Sequence, residues 1–365
     1  MRKKHSLVTV TVAAFFCLIL VVGSGSCLYA KEVVWKMTTT WPPAINLIEA
    51  DKTFAKNVNQ LCKGKLRIKF YPGGSLMPGF EVFNAVSKGT IQAAGDWPNY
   101  WSGKDGVFDT LGSYPMGLTP IDYMVWIYEG GGLDIYKKAY GKFGMMYLPT
   151  GVTPSESGIR GNKPINSLKD IKGLKIRMSG KAQGYILKEV GAAQVLLAGG
   201  EVYQALQKGT VDGAEFSSPT TDWNMGLGEV TKYWASPGWH QPASVMGVMI
   251  NQKAWDALDE DTKKNVLIAS KAAFLEFFCF QYYGCIDGTK KFFDKGVNMT
   301  RYSDEDLTKI EKIVNKYTAD TAAKNPLFRE SIQSQIEFRK KFSDWRSIEE
   351  PFSFGYNPKD YPDVK

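Results

Sequence analysis

Arg177, Glu215 and Gln241 have the types and positions in this sequence best suited to chemistry. Arg177 ends the run Lys175-Ile176-Arg177-Met178, which reads as a strand, and stands before Ser179-Gly180. A guanidinium there matches a carboxylate with two parallel N–H donors and a permanent charge. The alternative is a structural ion pair with an acid of the same chain. Glu215 follows Gly213-Ala214 at a strand end, where a buried carboxylate needs a cation or strong donors beside it. Arg177 can serve, and so can a hard metal ion, which takes oxygen from carboxylates, carbonyls and side-chain amides. Gln241, after Trp239-His240, offers such an amide oxygen. An ordinary strand-end acid remains the other reading of Glu215. Trp97, Tyr100 and Trp101 either wall an apolar pocket or belong to the core.

Signs of catalysis are scarce. Beyond the N-terminal segment there is one histidine, His240, and a lone histidine is more often structural than a general base. No Gly-x-Ser-x-Gly elbow and no phosphate-cradling glycine loop occurs, and the triple glycine at 130–132 fits neither pattern. Binding is the better expectation.

Two similar stretches must position these groups. EVYQALQKGTVDGAE begins at Glu201 and EVFNAVSKGTIQAAGDW at Glu81, and seven aligned residues are identical, from Glu81/Glu201 to Ala94/Ala214. Each reads as a short amphipathic helix, a Lys-Gly stop and a strand, with the second strand expected over Thr210–Phe216. Both strands end on polar or aromatic residues, Gly95-Asp96-Trp97 and Glu215-Phe216. Strands at 33–38 and 66–70 and a helix at 47–61 precede the first unit; a short helix capped by Ser167 and strands at 175–178 and 193–197 precede the second. The βαβαβ pattern therefore occurs twice, predicting two α/β halves with parallel strands and right-handed crossovers. Ligands of such sheets sit beyond the carboxyl ends of strands, so two facing ends predict a cleft between halves. Gly151–Gly158 is a candidate crossover, and Ser244–Ile250 is expected to return as a buried strand. Residues 253–295 and 304–345 read as helical, the latter broken near Asn325-Pro326, and the tail after Glu350 as an extended arm.

The chain has 365 residues, room for two domains, with 44% hydrophobic and 22% charged residues, as in globular proteins. Lys and Arg number 45 against 37 Asp and Glu. No basic stripe suited to nucleic acid accompanies that excess. Arg2-Lys3-Lys4, an apolar run from Leu7 to about Val22, and small residues up to Ala30 read as an export signal cleaved there. An uncleaved anchor, or lipid attachment at Cys27, is the alternative. The remaining thiols, Cys62, Cys279 and Cys285, have no metal or redox spacing and are expected to be buried apolar side chains.

The segments WSGKDGVFDTLGSYPMGL, YEGGGLDIY, LKDIKGLKIRMSG, LAGGEVYQALQKGTVDGAE and KYWASPGWHQP resemble the substrate-binding proteins of TRAP transporters, the DctP type. The resemblance covers nearly all of the chain after the export segment. It is nearest to the branch that binds 2-oxo acids or hydroxy acids with a metal ion. It implies a two-lobed α/β periplasmic-binding-protein fold, type II-like, with an interdomain cleft and long C-terminal helices. The implied protein is a periplasmic receptor, not an enzyme, delivering a small carboxylate to membrane permease subunits. A sensory receptor signalling to a membrane kinase is the alternative. The layout is a signal peptide over 1–30, lobe I over 31–152 with about 243–282, and lobe II over 153–242 with about 283–325. Residues 326–365 form a C-terminal helix and tail through which a homodimer can exchange helices.

By the same resemblance, Arg177 pairs with the ligand carboxylate; Trp97 and Tyr100 are expected beside it from their aromatic type alone. Glu215, the Phe216 carbonyl and Gln241 hold Ca²⁺ or Na⁺. Two departures stand out: Phe216 replaces a Trp, and Glu156, in TPSESG, stands where the branch has a ligand-binding Gln. A second carboxylate repels an anionic ligand unless a cation intervenes, which favours Ca²⁺ over Na⁺ or a ligand with an additional donor.

Overall fold

The structure, a computed structural model, describes residues 32–349. The expected signal segment, Cys27 and the tail after Glu350 lie outside the described residues. The chain runs β1 (Val33–Thr39), α1 (Ile48–Leu61), β2 (Leu66–Phe70), α2 (Val82–Ser87), β3 (Ala93–Asp96), α3 (Pro120–Tyr128), α4 (Gly132–Gly141) and β4 (Met145–Thr153). Next come β5 (Ile159–Gly161), β6 (Lys175–Arg177), α5 (Lys181–Glu189), β7 (Ala193–Val195), α6 (Val202–Gln207), β8 (Gly213–Ala214), α7 (Pro219–Asn224), α8 (Leu227–Val230) and β9 (Tyr233–Ser236). Then follow β10 (Ser244–Asn251), α9 (Gln252–Asp256), α10 (Glu260–Asp294), β11 (Asn298–Arg301), α11 (Asp304–Ala322) and α12 (Pro326–Glu349).

These strands form two mixed sheets, ordered β2-β1-β3-β10-β4 and β11-β9-β5-β8-β6-β7. In the first, β1 lies parallel to β2 and β3, and β10 enters antiparallel beside β3. The second repeats this pattern: β6 lies parallel to β7 and β8, and β5 enters antiparallel beside β8. The chain passes between the sheets after β4 and again before β10. Helix α10 forms a third link, packing on α1 and β4 at one end and on α7 at the other.

The duplicated unit closes the same way both times. Gly89 and Gly209 take positive φ, 76° and 69°, the left-handed conformation that a glycine adopts without a Cβ clash. The next amides, Thr90 and Thr210, bond back to the Ala85 and Ala205 carbonyls, each at 2.9 Å. Those bonds hold Thr210 and Val211 in the turn. The strand expected over Thr210–Phe216 is therefore only β8, where pairing with Ile176 and Arg177 begins. The helix expected after Ser167 is a set of turns, because Asp170 takes the Asn166 and Ser167 amides. Gly151-Val152-Thr153 belongs to β4, paired with β10, so the crossover is shorter than expected. Of the three thiols only Cys62 is buried; Cys279 is exposed and Cys285 half-buried, in a stretch of α10 where Phe280, Tyr282, Tyr283 and Ile286 are exposed too.

Two acids sit under the first sheet without a cation. Asp51 accepts from Thr39 Oγ1 at 2.6 Å, and Asp96 from Tyr140 Oη at 3.1 Å and from Trp101 Nε1. Burial pushes Asp96 up to about 8, and burial also raises Asp51, with Asp96 adding to it. The folded value lies above the unfolded one of about 3.9, so the native state keeps a proton the unfolded chain has released. Stability contributed by that proton is present at low pH and falls as pH rises through about 8. Asp96→Asn should flatten this decline in urea midpoints measured between about pH 4 and 8. An unchanged slope would mean that Asp96 titrates as an ordinary carboxyl.

Candidate ligand-binding site

The carboxyl ends of β3, β6 and β8 meet the two crossovers around one small cavity. Trp41, Leu47, Trp97 and Tyr100 line it from the first sheet's side; Ser179, Phe216 and Ser217 line it from the second. Glu156, after β4, and Gln241, Ser244 and Met246, at the start of β10, complete the wall. The crossovers are tied together, the Glu156 amide donating to the Gln241 carbonyl at 3.0 Å.

Arg177 and Glu215 form the layer beneath this surface, each 1% exposed. Nη1 of Arg177 donates to Glu215 Oε1 at 2.8 Å and to the Glu215 carbonyl at 3.0 Å, while Nε and Nη2 hold the Leu197 carbonyl. The guanidinium also lies 5.3 Å from the Phe216 ring centroid. Ser179 adds its amide and its hydroxyl to the same Oε1, both at 2.9 Å. The other oxygen, Glu215 Oε2, is buried without a hydrogen-bond partner. Tyr100 stands beside the guanidinium, and burial pushes its hydroxyl up to about 12.

Glu156 lies against this pair. It accepts from Gln241 Nε2 at 2.6 Å and bonds His240 Nε2 at 3.0 Å. Burial, and then the nearby charges of Glu215 and Asp222, hold the Glu156 carboxyl well above the usual range. Burial drives His240 down to about 4, so the ring is neutral at pH 7 and orients Glu156 as an uncharged partner. Glu156, Glu215 and His240 each offer a ligand atom within 4.8 Å of the others. Gln241 Oε1, the oxygen expected on a metal, accepts from Gln183 Nε2 at 3.1 Å. The donor set of hard oxygens, with one buried carboxylate oxygen unsatisfied, fits a hard cation.

Trp97, Tyr100, Glu156, Phe216 and Gln241 thus line the cavity, and Arg177 and Glu215 lie one layer back. The ion pair allowed for Arg177 exists, and its partner is Glu215. Trp101 lies elsewhere, buried among Phe83, Val107 and Phe108, with its indole N–H on Asp96. His240, Trp41 and Ser244 were not assigned to a pocket from the sequence. Nor was the buried pair Arg160–Asp222, at 2.6 Å between the Trp234 and Phe292 rings, whose Asp222 holds the Ser217 amide in the wall. For Trp41 the available signal was its place at the end of β1.

Two similar sheets joined by crossovers, with a small polar cavity between them, define a solute-binding receptor. The chain belongs to the bacterial extracellular solute-binding protein family 7, the DctP family, whose profile matches residues 37–325. These are the solute-binding proteins of TRAP transporters, receptors and not enzymes. A relative from Nostoc sp., a monocarboxylate 2-oxoacid-binding periplasmic protein, is 30% identical over 321 residues, 87% of each chain. The TRAP periplasmic solute-binding protein of Colwellia psychrerythraea, solved with calcium and pyruvate, is 28% identical with a TM-score of 0.85. The alignment covers 90% of this chain and 100% of that one. The protein of Pseudoalteromonas atlantica, solved with sodium and pyruvate, is 27% identical with the same TM-score and coverage. Among the described residues no helix is long and apolar enough to cross a membrane.

Proposed function

We propose that this protein is the exported, periplasmic receptor of a TRAP transporter, binding a small 2-oxo acid or hydroxy acid with a cation and delivering it to the membrane permease subunits. The observation that carries this reading is the buried pair Glu156 and Glu215, with Glu215 Oε2 unpartnered. Two carboxylates this close in a dry site cannot both stay ionised unless a cation joins them. In this reading Arg177 and Tyr100 receive the ligand carboxylate. Glu215, the Phe216 carbonyl and Gln241 hold the cation, with Glu156 as a further oxygen donor. Such a cation supplies the positive charge that lets the acids and the anionic ligand share one site. With both acids ionised, one guanidinium leaves the site and a monocarboxylate two positive charges short, which selects Ca²⁺ over Na⁺.

Trp41, Leu47, Trp97 and Met246 supply an apolar face for the ligand's side chain. The names of the Nostoc, Colwellia and Pseudoalteromonas proteins support the ligand class. We place the lobes at 31–152 with about 243–282 and at 153–242 with about 283–325, closing by hinge motion at the crossovers. Helix α12 lies on its own chain, with Trp126 Nε1 donating to Ser334 Oγ at 3.0 Å. Its exposed Trp345 and Ile348 offer an apolar surface for pairing as a homodimer.

Calorimetric titration of the metal-stripped protein with pyruvate, lactate and longer 2-oxo acids, with and without Ca²⁺, tests the reading. Tight binding is expected only with the cation. Equal binding without it would reject the metal and leave Glu215 and Gln241 as direct ligand contacts. No binding to any of these acids would overturn the ligand class.

A further inference from the structure

Asp109 lies outside the cavity and is 1% exposed, with no cation in contact. It sits in a 3₁₀ turn, Gly106–Thr110, whose neighbours Val107, Phe108 and Leu111 are buried on the first sheet's side. Its carboxylate reaches the other side. Oδ1 accepts the Lys181 amide at 2.9 Å and Oδ2 the Ala182 amide at 2.7 Å, the first two of α5. Tyr317 Oη, from α11, adds a third bond at 3.1 Å. Helix α5 needs this help because its own cap residue is Gly180, which has no side chain to offer.

Both walls of the cavity are attached to this one residue. On the first side, Asn99 Nδ2 holds the Asp109 carbonyl at 2.9 Å, and Asn99 lies between the lining residues Trp97 and Tyr100. On the second side, the capped turn carries two groups that act on the site. Ser179, just before it, grips Glu215 through amide and hydroxyl. Gln183, within it, donates to Gln241 Oε1 at 3.1 Å and to the His240 carbonyl at 3.2 Å.

We propose that Asp109 is a positioning residue of the binding site: by capping α5 across the interface it sets the spacing between the Trp97–Tyr100 wall and the Glu215–Gln241 wall. A cap that served stability alone would not need its backbone tied to one wall while its side chain directs the other. Removing the carboxylate frees the first turn of α5, and Ser179 and Gln183 lose their orientation towards Glu215 and Gln241.

The test compares wild type with Asp109→Ala and Asp109→Asn, which keeps one acceptor, at a temperature where circular dichroism finds each folded. Pyruvate affinity with Ca²⁺ should fall about tenfold in Asp109→Ala and by a smaller factor in Asp109→Asn. Hydrogen exchange in the ligand-free protein should quicken at 179–183 and also at 239–241. Affinity within twofold of wild type, with faster exchange confined to Lys181 and Ala182, would reduce Asp109 to a stability cap and overturn the proposal. If Asp109→Ala does not fold, Asp109→Asn carries the same comparison. The affinity measurement rests on the ligand proposed above; the exchange measurement does not. Should wild type fail to bind pyruvate with Ca²⁺, unchanged exchange at 239–241 would by itself overturn the role of Asp109.

Discussion

Arg177→Ala should weaken pyruvate binding in the presence of Ca²⁺ by about 30- to 5,000-fold, the span of the ~2–5 kcal/mol lost when one partner of a buried charged pair is truncated. Two losses combine. The ligand carboxylate loses its permanent positive partner, and Glu215 loses the donor that holds Oε1 at 2.8 Å. The second loss also affects the protein without ligand, because a carboxylate buried without its partner is strongly destabilising. A fall in melting temperature is therefore expected alongside the loss of affinity. Arg177→Lys separates the effects: it keeps the charge beside Glu215 but cannot present the planar fork. Its stability should recover further than its affinity. If calorimetry finds Arg177→Ala within a factor of two of wild type while its melting temperature falls, Arg177 is a structural partner of Glu215 and not a ligand residue.

Glu156→Gln should exchange the cation preference of the site. Wild type is expected to require Ca²⁺; the variant should bind pyruvate with Na⁺ and respond to Ca²⁺ about a hundredfold more weakly. The scale follows from Coulomb's law, with unit charges ~4 Å apart interacting by about 4 kcal/mol at an effective dielectric of ~20. Desolvation of the extra carboxylate offsets part of that gain. The substituted side chain keeps the shape and an oxygen donor, so the geometry around Gln241 and His240 should survive. Its amide N–H can also donate, which removes the repulsion between positions 156 and 215. The measurement is a pair of titrations, one in Na⁺ with a chelator and one in Ca²⁺. An unaltered ratio of the two affinities would place Glu156 outside the cation's reach and leave it as the hydrogen-bond partner of His240 and Gln241.

Much of this protein could be read from local sequence, because local sequence encodes period and turn chemistry. The Lys-Gly stops at 88–89 and 208–209 announce helices that end in a left-handed glycine, and both do so. The βαβαβ pattern dictated parallel strands around β1 and β6, and strand-end residues such as Trp97, Arg177 and Glu215 fell where α/β sheets present ligands. Segment resemblance supplied the family. Tertiary structure alone decided which buried polar groups meet. Glu156 reaches His240 and Gln241 because two crossovers, far apart in sequence, run side by side between the sheets. Asp109 caps a helix of the other sheet, and Arg160 finds Asp222 between two aromatic rings, with no spacing in the chain to announce either. A buried carboxylate requires a partner, but its own residue type does not specify which one. The partner is set by where the chain crosses, and crossings are fixed by the packing of whole elements.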